Sequence, residues 1–428
     1  MFAPRKLLPL LALFAIATPA FSSARLTYDM AGTPVSVSWP RASFPIKYGV
    51  DRGLANAMRG TTVIDSAFRA WTLVQDADVR FQPIGVVDVD ATAKSMKAGK
   101  DGLNSVSLTN DLFSGQKFVA LTTNWYDDAG NVYEADIQVD PMALGSNYNV
   151  QQIVEHEVGH LLGLDHSAVL SSVMYPYVGQ GGATSLDSDD RIAMAQLYPR
   201  SGDTGATLEG KVVGDAGGVF TAQVVALSDQ GEPVATALTD QYGQFVLKGV
   251  PSGTYRIYAE PLDGPVDSQN MQGIYRLAAV KSFPTRFADS GSLRVDGVKV
   301  YGNLTVNGTG AAQLNPKWIG AFAPNASSMS LAATPAVLKP GTTMAIAVGG
   351  DGFTSGMTTF DVPNPGFRRV SDFSYAGNYV YATFAIAPET QGGSLAVLVK
   401  SGNDSAALTG ALRVDAPISS GRSRSVRR

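Results

Sequence analysis

All three histidines of this 428-residue chain lie between positions 156 and 166, and their spacing dictates how the backbone must run there. His156 and His160 are four residues apart, so on a helix they stand one turn above the other and both imidazoles face the same way. Two neutral imidazoles so placed suit a tetrahedral Zn²⁺ ion. Gly163 follows three residues later, where the helix must stop if the chain is to turn back, and glycine accepts the left-handed conformation that such a stop requires. The reversal brings in His166 as a third nitrogen. Three imidazoles leave the fourth position to water, which marks an open, catalytic site rather than a closed structural one. Glu157 flanks the histidine face without needing to ligate. Its natural role is that of a general base, taking a proton from the attacking water and passing it to a departing amine. Asp165 competes with His166 as a ligand, and the neutral nitrogen after the glycine bend is the favoured one. A structural zinc without catalysis and a plain surface histidine pair are the bland alternatives.

A chain of this length suggests two or three domains. Its net charge of −4 offers no basic stripe for releasing counterions, which argues against a nucleic-acid partner. Cysteine is absent, so thiol nucleophiles, redox pairs and disulfides are all excluded, and stability must come from large cores or bound metal. The start of the chain reads as a signal peptide over residues 1–24: Arg5 and Lys6, an apolar run from Leu7 to Ala17, and Ser22-Ser23-Ala24 as a small-residue cleavage site. That run is short for a span and carries Pro9, and no later stretch reaches about 18 uninterrupted apolar residues. The expected location is secreted or extracellular, with periplasm or cell surface as variants, and no membrane span after signal removal.

Between Phe44 and Pro83 the pattern predicts strand, helix, strand. Ile46, Tyr48 and Val50 alternate, then Ile64, Phe68 and Trp71 recur at helical spacing, and Val79 and Phe81 alternate again before Pro83. A polar stretch from Lys94 to Thr109 precedes a strand over Phe118 to Thr122, a turn over Asp127 to Asn131, and a strand from Tyr133 to Val139. Helices are predicted from Asn149 to Leu162 and from about Asp187 to Tyr198, the latter opened by an acidic cap cluster and stopped by Pro199. Beyond the linker-like Ser201 to Gly205 there are only strand signals between turns, such as Ala222 to Leu227, Tyr255 to Ala259, Met344 to Val348 and Val380 to Ile386, with a second break near Pro324.

His156-Glu157-x-x-His160-x-x-Gly163-x-x-His166 resembles the metzincin zinc motif, and Ser167 after it is a matrixin-like feature. Ser172-Val173-Met174-Tyr175-Pro176 is similar to the Met-turn of that family, in which a methionine packs beneath the zinc ligands. Weaker similarity extends over about residues 40–200, through Ala67-Phe68-x-x-Trp71, Glu134 to Ile137 and Asp189 to Tyr198. The resemblance implies an α+β fold, a twisted mixed sheet with three helices, and a zinc metalloendopeptidase. In it His156, His160 and His166 would be ligands, Glu157 catalytic, Gly163 and Met174 structural, and Tyr175, Pro176 and Tyr177 part of the substrate pocket. Animal matrixins hold a second, structural zinc on further histidines, which this chain lacks, so one catalytic zinc is expected. Asp127, Asp128, Asn131 and Asp136 offer oxygen ligands for a Ca²⁺ ion, although acidic turn residues are more often merely solvated. An edge strand at Phe118 to Thr122 is expected to hold an extended protein or peptide substrate by main-chain hydrogen bonds.

In the second half, Gly210 to Val213, Thr239-Asp240-x-x-Gly243-x-Phe245 and Gly249-Val250-Pro251-x-Gly253-x-Tyr255 resemble carboxypeptidase regulatory-like β-sandwiches, while Ala333-x-Pro335 and Val348 to Phe353 resemble immunoglobulin-like domains. The expected organisation is a signal peptide (1–24), a metzincin-like zinc peptidase domain (25–200), two all-β sandwich domains (204–322 and 323–416) and a basic tail (417–428). The β domains are read as spacers or as modules binding a surface or a target protein. The rival from another class is a catalytically silent secreted adhesion protein, and a zinc amidase acting on a non-protein amide is a third. Two expectations bear on modularity. A chain ending near Arg200 should fold and cleave short peptides alone, and residues 25–42 should be either inert or, through Asp29, a short plug.

Overall fold

A computed structural model describes residues 25–89, 101–109, 118–145, 147–177, 185–200, 205–276, 278–326 and 328–415. The signal-peptide and basic-tail expectations and the linker at 201–204 lie outside these residues. No helix among them is long and apolar enough to cross a membrane.

The chain opens with a hairpin of β1 (Thr27–Met30) and β2 (Thr33–Ser36), then β3 (Ile46–Asp51), α1 (Arg52–Met58), α2 (Thr62–Thr72), β4 (Phe81–Val87), β5 (Ser105–Leu108), β6 (Ala120–Tyr126), β7 (Val132–Val139), α3 (Val150–Leu161) and α4 (Ser188–Leu197). The main sheet runs in the order β4-β3-β5-β7-β6. Its strands are parallel except β6, which pairs antiparallel with β7 and forms one edge. Ile64, Phe68 and Trp71 are fully buried on α2, where the 3.6-residue period puts them on one face against α3. The Trp71 indole donates to the Glu155 carbonyl at 2.9 Å, tying the two helices together.

Three differences from the sequence pattern have physical causes. α1 is a fourth helix; it carries two glycine-or-polar gaps in seven residues, too short for a period, and is started by Asp51, whose carboxylate accepts from Gly53 N–H. β4 continues through Pro83 because it is an edge strand, where a missing N–H costs no ladder bond. β5 sits inside the polar stretch, since its serines are buried and Ser105 bonds Asp136. The N-terminal residues are also not a loose leader. Leu26, Val37 and Trp39 are core residues, and Trp39 donates from its indole to the Leu161 carbonyl at 2.8 Å. Asp29 caps its own hairpin turn by accepting from Gly32 N–H.

Beyond Gly205 every regular strand belongs to one of two sheet pairs. Pro233–Leu238, Gln223–Ser228, Gly253–Glu260 and Arg286–Val295 form one sheet, and Gln244–Val250, Ala206–Gly214 and Val300–Asn307 the facing one. Their alternating inward residues, among them Leu208, Val224, Phe245 and Ile257, make a shared core. The second pair runs from Asn315 to Val414 around Ile346, Val380, Phe384 and Leu412. Strand Asn315–Phe322 pairs with Thr343–Asp351, so it belongs with the C-terminal sheets and not, as expected, with the preceding module. Ala323-Pro324-Asn325 is a turn within that module.

The three parts are not beads on a string. Leu170 and Tyr175, from the loop after His166, are buried in the same apolar cluster as Leu338 and Leu412 of the C-terminal sheets and Leu262 and Met271 of the preceding module. Leu170 N–H donates to Thr409 O at 2.9 Å, and the Tyr175 hydroxyl donates to Ala333 O at 2.5 Å.

Candidate metal centre

Asn149 starts α3, its side chain accepting from Gln151 N–H and Gln152 N–H. The helix carries His156, Glu157 and His160 and ends at Gly163. There φ is +100°, and an added Cβ would lie 2.2 Å from the Val37 carbonyl, so both conformation and space demand glycine. Gly163 and Leu164 N–H groups close on the His160 and Gly159 carbonyls, and the chain reverses to present His166. Below, Met174 is buried and fills the space that a side chain at 159 would need; a Cβ there would sit 2.1 Å from its sulfur.

The three imidazoles converge, with one ligating atom of each within 4.8 Å of the others. His160 Nε2 and His166 Nε2 are 3.3 Å apart. Each Nδ1 meets a backbone carbonyl: His156 that of Val173 at 2.7 Å, His160 that of Leu164 at 2.8 Å, and His166 that of Asn270. A carbonyl only accepts, so every Nδ1 carries the proton and every Nε2 presents a lone pair. Two facing lone pairs at 3.3 Å repel unless a cation lies between them. Tetrahedral ligands at about 2.0–2.1 Å from zinc are themselves about 3.3–3.4 Å apart, the separation of this pair, and the third imidazole converges on the same point, as that ion requires. Burial, with His166 nearby, pushes the His156 pKa down to about 3; His160 and His166 are also lowered, first by burial, which keeps the rings in the neutral, ligating form.

Glu157 is buried beside them, its pKa raised to about 7 by desolvation and partly offset by a bond from Thr122. Thr122 Oγ1 lies 2.6 Å from Glu157 Oε2 and 3.0 Å from the Glu157 carbonyl, so β6 orients the carboxylate. Asn124, also on β6, donates to the His160 carbonyl at 2.8 Å. A cleft of about 410 Å³ opens over the histidines, lined on one side by Phe118 to Thr122 and on the other by Pro176, Tyr177 and Gln272.

The pocket expectation divides here. Pro176 and Tyr177 line the cleft, whereas Tyr175 points into the C-terminal module and does not. Asp165 turns away from the histidines; its Oδ1 accepts from His166 N–H at 2.7 Å. The proposed calcium ligands do not converge. Asp127 spends its carboxylate on Ala129 N–H, Asn131 N–H and the Asn131 amide, and Asp136 faces Ser105. Among the described residues the three histidines form the sole group of three or more such metal-binding side chains.

Several supporting residues escaped the sequence reading because their role depends on long-range contacts. Asp190 accepts from Ser172 Oγ, Val173 N–H, Met174 N–H and Asp187 N–H, and so clamps the methionine turn. Asp189 takes the Ser167 hydroxyl and, from the next module, Thr236 N–H and Oγ1. The acidic cluster was legible only as a helix cap.

The pattern of the Matrixin family matches residues 45–199. Residues 45–199 form a matrixin domain. Karilysin of Tannerella forsythia is 46% identical over 54 residues, which are 13% of this chain and 11% of that protein. The hatching enzyme of Paracentrotus lividus is 31% identical over 178 residues, 40% of this chain and 28% of its own length. Matrix metalloproteinase-21 of Cynops pyrrhogaster is 29% identical over 142 residues, 32% and 21% of the two chains. The matched part thus spans between about a tenth and under a third of these relatives. The matrixin domain supports a zinc metalloendopeptidase kind of function for the site just described.

Proposed function

We propose that this chain is an exported zinc-dependent endopeptidase that hydrolyses peptide bonds in proteins, with His156, His160 and His166 as zinc ligands and Glu157 as general base. The observation that carries this reading is the set of three Nε2 lone pairs, each fixed by an Nδ1–H bond to a carbonyl, beside a buried carboxylate in an open cleft. Zinc, when bound, would acidify a water and polarise the scissile carbonyl. Glu157 takes the proton of the attacking water and returns it to the amine that leaves. Thr122 holds that carboxylate in line. Among the described residues β6 has a ladder partner on one side only, and its other edge can pair with an extended substrate backbone above the histidines. Such pairing reads main chain first, which favours unfolded or extended protein segments as substrates.

The test is hydrolysis of casein and a peptide library by the purified full chain, with metal analysis alongside. One zinc per chain and chelator-sensitive cleavage are expected. A chain that binds zinc and cleaves no peptide would leave the silent adhesion reading standing. Glu157→Ala should keep its zinc and lose about 10²–10⁴-fold in kcat; near-normal turnover would remove Glu157 from the mechanism.

A further inference from the structure

His156 and His160 receive their Nδ1 acceptors, Val173 and Leu164, from the matrixin domain itself. His166 does not. Its Nδ1–H donates to the carbonyl of Asn270, which lies 104 residues further on, between two strands of the first β-sandwich module. The same segment holds His166 a second time. Gln272 N–H donates to both oxygens of buried Asp165, at 3.2 and 3.0 Å, and that carboxylate accepts the His166 N–H. We propose that the segment around Asn270–Gln272 is a positioning element of the active site, so that the third zinc ligand is correctly held only when the β-sandwich module is docked. This inference rests on the zinc-site reading given above and adds to it where the site is completed.

The segment is built to hold that place. Asn270 closes a tight turn on Asp267, its N–H donating to the Asp267 carbonyl at 3.0 Å and its Oδ1 accepting from Asp267 N–H at 2.9 Å. Its amide also donates to the Tyr177 hydroxyl at 3.0 Å, which ties the turn to the cleft wall. Gly273 then packs directly on the N-terminal hairpin; φ is +55° and a Cβ would lie 1.9 Å from the Thr27 carbonyl. Met271 is buried in the apolar cluster shared with the C-terminal module, so the turn is anchored from behind. Gln272 and Tyr177 both line the cleft, together with residues 118–122. The β module therefore sets the orientation of a ligand and the far wall of the substrate cleft together. Outer partners of metal-bound histidines fix ring orientation, and losing one weakens metal affinity by about 10–100-fold.

The experiment uses the full chain and titrates zinc against a chromogenic chelator for wild type, Asn270→Ala, Gly273→Ala and Tyr177→Phe, with exposed Gln269→Ala as the control. Asn270→Ala keeps the carbonyl that His166 uses but removes the side-chain bonds to Asp267 and Tyr177 that hold it in place, so it should weaken zinc by about tenfold; Gly273→Ala, which pushes the turn off Thr27, should weaken it by about 10–100-fold, and Tyr177→Phe by less than either. Gln269→Ala should stay within about twofold, because Gln269 is exposed and its bond to Asp267 comes from the backbone N–H, which alanine keeps. At saturating Co²⁺ in place of zinc, the visible absorption of Asn270→Ala should differ in shape from wild type, a change that lost fold stability alone would not cause. If Gly273→Ala fails to fold, Asn270→Ala and Tyr177→Phe still decide the matter. Wild-type zinc affinity and an unchanged Co²⁺ spectrum in every turn variant that folds would overturn the inference while leaving the peptidase reading intact. Weakened zinc in variants of a chain that cleaves no peptide would do the reverse.

Discussion

Replacing Asp190 by alanine should loosen the floor of the metal site, and the cost can be worked from its contacts. The carboxylate accepts from Val173 N–H and Asp187 N–H at 2.8 Å, from Ser172 Oγ at 2.5 Å and from Met174 N–H at 3.3 Å. Met174 N–H keeps a second acceptor in Ser172 Oγ, and Ser172 can rotate its hydroxyl. Val173 and Asp187 N–H lose their carboxylate partner. The orphaned buried Val173 N–H costs roughly 1–3 kcal/mol, and the bond to the part-buried Asp187 N–H, which is half of the α4 capping box, is worth about 1 kcal/mol more. Relief from burying a carboxylate offsets part of this, so the net should be about 2–3 kcal/mol. Val173 also supplies the carbonyl that orients His156, so zinc affinity should fall by about 10–100-fold. Denaturant unfolding followed by tryptophan fluorescence is suited to the measurement, because Trp71 and Trp125 lie in the matrixin domain and Trp39 packs in the same core. Exposed Asp128→Ala is the reference and should lie within about 0.5 kcal/mol of wild type. An Asp190→Ala chain within about 1 kcal/mol of wild type, with unaltered zinc affinity, would refute the clamp.

Thr122→Val should leave zinc content unchanged and lower kcat by roughly tenfold, the effect of losing one charge-assisted bond of about 1.5 kcal/mol to Glu157, as read by steady-state peptide hydrolysis. A chain ending at Arg200 should lose peptide activity and self-associate, contrary to the simplest modular expectation, because Leu170 and Tyr175 lose their apolar cover and His166 loses Asn270; a monomeric, active product in size-exclusion and hydrolysis assays would contradict this. A chain beginning at Ser43 should melt at lower temperature, since it lacks the core residues Leu26, Val37 and Trp39, and calorimetry checks it. Glu260 is buried between the two β modules, bonded by Gln223 and Thr409, and burial raises its pKa from 4.5 to about 7. Its folded state therefore holds the proton that the unfolded chain releases, so its contribution is full below pH 4.5 and is lost as pH rises to about 7, by ~3 kcal/mol in all. Glu260→Gln should gain on wild type across that window in unfolding experiments, and a pH-independent difference would count against it.

Where local spacing alone carries the physics, the sequence was sufficient. The two histidines one helical turn apart, the glycine that must end their helix and the third histidine after it were enough to locate the group of three convergent imidazoles and the glutamate beside it. Periodicity likewise located α2, α3 and the strands around them, because each buries one face whose period is written in consecutive residues, while an acidic cap and Pro199 marked the ends of α4. Tertiary structure decided what no short window contains. Thr122 reaches Glu157 only because β6 lies at the sheet edge beside α3, and Asp190 clamps the methionine turn only because α4 packs under it. β5 was hidden by its polar composition, as its serines are buried and Ser105 is bonded to buried Asp136 of another strand. Tyr175 reads as a pocket residue beside Pro176, yet an apolar cluster assembled from three distant segments draws it away. The same holds for Asn270: its carbonyl carries no side-chain signature, and only the docking of one module on another brings that backbone oxygen to the third histidine.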